Sequence, residues 1–290
     1  MNCVQHKPGK RSAPRERPRP RGRKGDEHFQ ISQLGKILQI ETWLMMTVAV
    51  SITILDVPVH DVTTEETLAL IEQFVRDGVP RQICTVNPEF IMLAQKDVEF
   101  KQILDRSVLN LPDGIGVVWA AKRLGHPVRE RVAGSDLVGL IADRAQQTGW
   151  RIFLLGAAEG VAAQAAIKLK ECYPQASLVG AYAGSPRMED EVEIAARIRS
   201  AGATVLLVAY GAPKQDKWIA RNLERTGVSV AMGIGGSLDF IVGTQKRAPR
   251  WMQRVGLEWL YRLIREPWRW RRQLALPKFV WAVLFVKRRA

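Results

Sequence analysis

The sequence predicts an α/β fold in which a parallel sheet is covered by helices on both faces. Three observations carry that prediction. Short apolar runs alternate with longer amphipathic segments through most of the chain. The stretches IFLLG in WRIFLLG (150–156) and VLLVA in TVLLVAYG (204–211) are continuously apolar, as expected of strands buried on both sides. Glycines and capping residues separate the two kinds of segment.

Taken in order, SITILDVPV reads as a strand or hairpin. TTEETLALIEQFVRDG follows as a helix, with a Thr/Glu capping pattern at its start and Gly78 as its stop. RQICTV is a strand, and NPEFIMLAQKD opens a helix with Asn87 as cap and Pro88 in the first turn. SVLNLPD is a strand, GIGVVWAAKRLG a helix ending at Gly125, and SDLVGLIADRAQQTG a capped helix. WRIFLLG, SLVGAYAG, TVLLVAYG and VSVAMGIGG are the later strands. The helices AAEGVAAQAAIKLKECYP, EDEVEIAARIRSAG, APKQDKWIARNLERTG and SLDFIVG alternate with them. This alternation predicts a doubly wound, Rossmann-like domain over residues 46–243.

Charge divides the chain further. The net charge is +14, yet residues 1–25 carry +8, residues 244–290 carry +11, and the stretch between them carries −5. Residues 1–45 begin with an Arg/Pro-rich run that has almost no large apolar residues, so they are expected to form a disordered basic extension. Residues 244–290 form a basic appendage that holds five of the nine tryptophans. An acidic body with basic ends argues against a nucleic-acid binder and for terminal segments that meet an anionic surface. Arg262, Arg265, Arg269 and Arg272 would share one face of a continuous helix, and Met252, Val255, Trp259, Leu260 and Leu263 form an apolar stripe. Pro267 should kink that helix or start a second one. Tryptophan beside arginine suits a membrane interface, so the appendage is expected to dock on an anionic leaflet.

Three widely spaced cysteines and four scattered histidines give neither a disulfide framework nor a zinc spacing, which fits a reducing compartment. No D-x-D occurs, and no metal or cofactor is expected.

In such a fold the chemistry lies in loops after the carboxyl ends of strands. Those loops are 85–87, 112–116, 156–160, 210–215 and 233–239. Asp113 suits either a helix cap or a general base. Thr85, Asn87 and Gln215 suit caps, surface amides or ligand contacts. Gly233, Gly235 and Gly236 resemble a dinucleotide loop but do not complete G-x-G-x-x-G, which counts against an NAD(P) oxidoreductase; a nucleotide phosphate is the safer ligand.

TVNPEF, LPDGIGVVWAAKRLG, ERVAGSDL, FLLGAAEGVA, AYGAPKQDKW, MGIGGSLDF and RAPRWMQRVGLEWLYRLIREPWRWRR occur in this order. Together they resemble the WecG/TagA/CpsF family of bacterial glycosyltransferases, glycosyltransferase family 26. The resemblance implies inverting transfer of a sugar (N-acetylmannosamine, its uronic acid or glucose) from a UDP-sugar donor. The implied acceptor is an undecaprenyl-diphosphate-linked saccharide at the inner face of the cytoplasmic membrane, feeding teichoic acid, enterobacterial common antigen or exopolysaccharide. It implies Asp113 as catalytic base, with Thr85, Asn87, Arg131 and Gln215 around the same pocket. Arg262, Arg269 and Arg272 would be supplied by an appendage that closes over the site. It also implies a peripheral membrane protein that self-associates through its body.

Overall fold

The computed structural model describes residues 50–249, 251–252, 257–267 and 270–285, with only the backbone of Arg262 and Arg271. The expected disordered extension over residues 1–45 lies outside the described residues.

The chain enters through a hairpin, β1 (Ser51–Ile54) and β2 (Val57–His60), paired antiparallel. Its two-residue turn places Leu55 and Asp56 at positive φ, 48° and 61°. Leucine is rare there; the Leu55 carbonyl accepts a hydrogen bond from Gln95 Nε2 at 2.7 Å. Helix α1 (Thr64–Asp77) shows the predicted capping box, Thr63 with Glu66, and stops at left-handed Gly78.

The main sheet has six parallel strands. They are β3 (Arg81–Val86), β4 (Leu109–Pro112), β5 (Arg151–Gly156), β6 (Ser177–Tyr182), β7 (Val205–Ala209) and β8 (Val230–Gly233), in the order β4-β3-β8-β7-β5-β6. Between the strands run α2 (Pro88–Ala94), α3 (Val98–Arg106), α4 (Ile115–Arg123), α5 (Gly134–Thr148), α6 (Val161–Cys172), α7 (Glu191–Ser200) and α8 (Lys214–Thr226). After β8 comes α9 (Ser237–Val242).

Helices α1, α5, α9 and α6 contact one another in one layer, and α7, α8, α3 and α2 in the other. Strand residues alternate between the layers. Phe153, Leu155, Leu206 and Val208 pack with Ile194, Ile198 and Trp218 of α7 and α8. On β3, Cys84 and Val86 pack with α2 and α3, while Thr85 faces α5. Neighbouring strands β3 and β8 therefore send their next helices, α2 and α9, to opposite faces. A crevice opens between them at the carboxyl ends, the place where open α/β sheets bind ligands.

The last described residues form α10 (Glu258–Arg265), α11 (Trp270–Gln273) and α12 (Ala275–Phe285). The arginine stripe is thus not on one continuous helix. Helix α10 stops at Arg265, two residues before Pro267, because proline lacks an N–H and disfavours helical geometry in the residue before it. Arg272 belongs to the next helix. Phe279 and Val283, one helical turn apart, are buried in the core that includes Phe90 and Val117, so α12 packs on α2 and α4. No helix among the described residues is long and apolar enough to cross a membrane.

Candidate active site

A cavity of about 600 Å³ opens where β4, β3, β8 and β7 end. Asp113 follows β4 directly and lines it. The residue does not cap the helix that comes next, since α4 has Gly114 at its N-cap and no side-chain cap bond. It faces α5 instead. That helix begins after Ala133 without a side-chain cap, and the Gly134 N–H donates to Asp113 Oδ2 at 3.5 Å. A distant loop thus answers a helix terminus that its own segment leaves open. Glycine is needed for this approach: a Cβ on Gly134 would lie 2.9 Å from Thr85 Cγ2.

Burial pushes the Asp113 carboxyl from 3.8 up to about 6. Arg131 and the Gly134 N–H pull it down; Glu258 and Asp136 push it further up. A group with this balance is ionised at neutral pH and still basic enough to take a proton.

Arg131 sits on a segment pinned by its neighbour Arg129. The Arg129 guanidinium donates twice to Glu66, each at 2.7 Å, and its Nε donates to Asp61 at 3.0 Å. Arg131 itself lies 3.8 Å from Asp136 and 3.7 Å from Glu258. Arg247 pairs with the same two acids, reaching Glu258 at 3.5 Å. The four form a ring of alternating charge beside Asp113. Glu258 opens α10, so this ring ties the chain's last helices to the body. On the other side, Arg272 of α11 bonds Glu89 at 2.8 Å and also lines the cavity. Trp259, Leu276, Pro277 and Val280 give the same wall an apolar stretch.

Thr85 is buried at the end of β3, and its hydroxyl donates to the Gly233 carbonyl at 3.3 Å, bridging two strands. Asn87 caps α2 by accepting from the Phe90 N–H at 3.0 Å, and it lines the cavity as well. Gln215 is buried in the first turn of α8, and its Oε1 accepts from the Gly235 N–H at 2.9 Å. Gly235 and Gly236 form part of the wall. Gly233 lies behind it, where a Cβ would come within 2.4 Å of Gln215 Nε2.

Residues 52–290 match the Glycosyl transferase WecG/TagA/CpsF family. The chain belongs to this family. A relative from Bacillus spizizenii (strain ATCC 23059 / NRRL B-14472 / W23) is 39% identical over 202 residues, covering 70% of this chain and 78% of its own. One from Bacillus subtilis (strain 168) is 37% identical over 215 residues, covering 74% and 83%. Both are named N-acetylglucosaminyldiphosphoundecaprenol N-acetyl-beta-D-mannosaminyltransferase. As a member of the WecG/TagA/CpsF family, the chain is a glycosyltransferase.

Thr85, Asn87, Asp113, Arg131, Gln215, Gly235, Gly236 and Arg272 meet around one cavity. The side chain of Arg262 and the whole of Arg269 lie outside the described residues. The 156–160 loop, also expected near a ligand, does not line this cavity. Sequence reasoning missed the acids: Asp136, Glu258 and Glu89, together with Arg247. Asp136 and Glu258 stand inside the motifs ERVAGSDL and LEWLYR, but the Arg131–Glu258 and Arg247–Asp136 pairs join segments more than a hundred residues apart and have no local signature. Among the described residues no cluster of three or more His, Cys, Asp or Glu could hold a metal.

Proposed function

We propose that the chain transfers an N-acetyl-β-D-mannosaminyl group from a UDP-linked donor to N-acetylglucosaminyl-diphospho-undecaprenol, with inversion. The carrying observation is that Asp113, raised to about 6, shares one cavity with Arg131 and Arg272. The relatives' names supply the transferred group and the acceptor; the UDP donor and the inversion come from the family resemblance. An acceptor hydroxyl attacks the anomeric carbon, and its proton passes to Asp113. The new glycosidic bond forms as the bond from the anomeric carbon to the diphosphate oxygen breaks, and that electron pair leaves with UDP. Arg131 and Arg272 face the growing negative charge, with Arg262 and Arg269 as further donors by the family resemblance. The turn at Gly235 and Gly236 holds the donor's diphosphate side, while Thr85, Asn87 and Gln215 shape the pocket. Gly233 supports that turn from behind. Without a donor, Glu89, Glu258 and Asp136 keep the described arginines paired and in place.

The acceptor is a membrane lipid, and the chain's end is built to meet one. Trp281, Leu284 and Phe285 of α12 point outward while Phe279 and Val283 hold the helix to the body. Trp251, Ile264 and Trp270 are exposed as well. Each basic residue near an anionic leaflet adds ~1 kcal/mol, so the appendage suffices for reversible docking on the inner face of the cytoplasmic membrane. Self-association through the body belongs to the same reading by family likeness.

A panel of UDP-sugars offered with a short-chain prenyl-diphospho-N-acetylglucosamine tests the chemistry. The expected product gains one N-acetylhexosamine by mass; transfer of only another sugar, or none, overturns the reading. The double variant Trp281→Glu/Phe285→Glu tests docking. It should lose co-sedimentation with phosphatidylglycerol vesicles and keep its turnover on the water-soluble acceptor. Undiminished vesicle binding would refute the docking role.

A further inference from the structure

Behind the cavity wall lies a buried polar cluster that the transfer step does not use. Asp216, in the first turn of α8, is fully buried, and neither carboxylate oxygen has a hydrogen bond of good geometry. Few groups face it. Its own helix presents the Gln215 amide, and β3 presents the Cys84 thiol. From β8 comes bare backbone: a Cβ on Gly233 would lie 2.9 Å from Asp216 Oδ1. Gln82 donates to the Asp216 main-chain carbonyl at 3.1 Å, and Ser107, at the end of α3, touches Cys84. Lys217, next in sequence, turns away to Asp97 and Glu99. Among the described residues no cation contributes to the surroundings of this carboxyl.

A carboxyl without water or a cation keeps its proton. Burial raises Asp216 from 3.8 to about 7, against smaller opposing hydrogen bonds. The directions of the surrounding bonds then follow. Ser107 donates to the Ile103 carbonyl at 2.9 Å, so its oxygen accepts from the Cys84 S–H at 3.0 Å. Burial keeps that thiol protonated; its sulfur accepts from Gln82 Nε2 at 3.7 Å and stands close enough to the Asp216 carboxyl to take its O–H as well. The other Asp216 oxygen is then available to accept from the neighbouring Gln215 Nε2. That fixes the amide with Oε1 toward the Gly235 N–H, the orientation seen at 2.9 Å.

We propose that Asp216, in its protonated form, is a positioning residue that locks the Gln215 amide and through it the Gly235–Gly236 turn of the donor site. The inference rests on the donor reading above, so its test has one arm that needs no substrate. Asn is the decisive replacement: it offers a carbonyl to Gln215 and an N–H to Cys84 but cannot ionise.

In the substrate-free arm, thermal midpoints of the wild type and Asp216→Asn are compared from about pH 4 to pH 8. A carboxyl raised in the fold contributes fully below its unfolded value and loses that contribution as pH rises toward the folded value. The wild-type midpoint should therefore fall relative to the Asn variant as pH rises. Parallel curves would overturn the protonated state. In the second arm, the wild-type KM for the UDP-sugar should climb above about pH 7, while that of Asp216→Asn stays flat. Asp216→Ala should show a KM raised roughly tenfold at every pH, the effect of one lost buried hydrogen bond, with kcat little changed. Parallel KM profiles for wild type and Asn would refute the positioning role, and the Asn comparison decides even if the Ala variant does not fold. A wild type inactive with every UDP-sugar would sink the transfer reading and leave the first arm to judge Asp216.

Discussion

Replacing Asp113 with asparagine should slow transfer and stabilise the protein at once. The rate loss follows from removing a general base, about 10²–10⁴-fold in kcat with donor affinity little changed. The gain in stability follows from burial. The wild-type carboxyl is raised from 3.8 to about 6, and each factor of ten in proton affinity is ~1.4 kcal/mol. Keeping it ionised at pH 8 thus costs the fold up to ~3 kcal/mol, and about 1–3 kcal/mol once the water in the cavity is considered. A raised carboxyl contributes fully below its unfolded value and loses that contribution as pH rises through the folded value, here about 6. The variant should therefore unfold at higher urea concentration than wild type at pH 8, and the gap should close near pH 4. The same ionisation should give wild-type kcat/KM an acidic limb near pH 6. Initial rates of UDP release, read beside urea midpoints at both pH values, test the whole argument. Unimpaired turnover would remove Asp113 as the base, and an Asn variant less stable at pH 8 would refute the claim that burial dominates its environment.

Arg272→Ala should lower kcat by roughly 10²-fold, and Arg272→Lys should not restore it, because a single ammonium cannot replace a bidentate guanidinium at a diphosphate; full rescue by Lys in the same rate assay would count against that role. Gly233→Ala would set a Cβ 2.4 Å from Gln215 Nε2 and 2.9 Å from Asp216 Oδ1, and should cost about 1–3 kcal/mol in urea unfolding. Phe279→Ala removes a ring buried between α12 and the body, and should cost about 3–5 kcal/mol, read as a lower midpoint with faster proteolysis after residue 270. An unchanged proteolysis rate would mean that Phe279 does not hold the last helix.

The elements of the fold were legible because each has a local cause. The Thr63/Glu66 capping box and Gly78 bound α1 in the sequence as they do in the structure, and Asn87 with Pro88 starts α2. Continuous apolar strands require both faces to be covered, so the parallel sheet followed from pattern alone. Asp113, Thr85, Asn87 and Gln215 could be chosen because strand ends are where this architecture places ligands, and the ordered motifs narrowed the choice. The charge ring of Arg131, Asp136, Arg247 and Glu258 could not be read. Each of these pairs depends on where a loop, a helix start and the chain's last helices come to rest against one another.

What the sequence by itself determined is the class of fold, the strand-end loops, four of the five of which line the cavity, and the basic, tryptophan-rich end. These depend on periodicity, capping and composition, which act over a few residues. Only the tertiary structure decided what the polar residues do. Asp113 does not cap the helix that follows it; it meets the N-terminus of α5. Gly233 serves as bare backbone behind Gln215, away from the cavity wall. The last helix divides its apolar residues between the core and the outside. Dehydration, charge pairing and close backbone approach are properties of three-dimensional surroundings. They set the proton affinity of Asp113 and Asp216, and no stretch of sequence contains them.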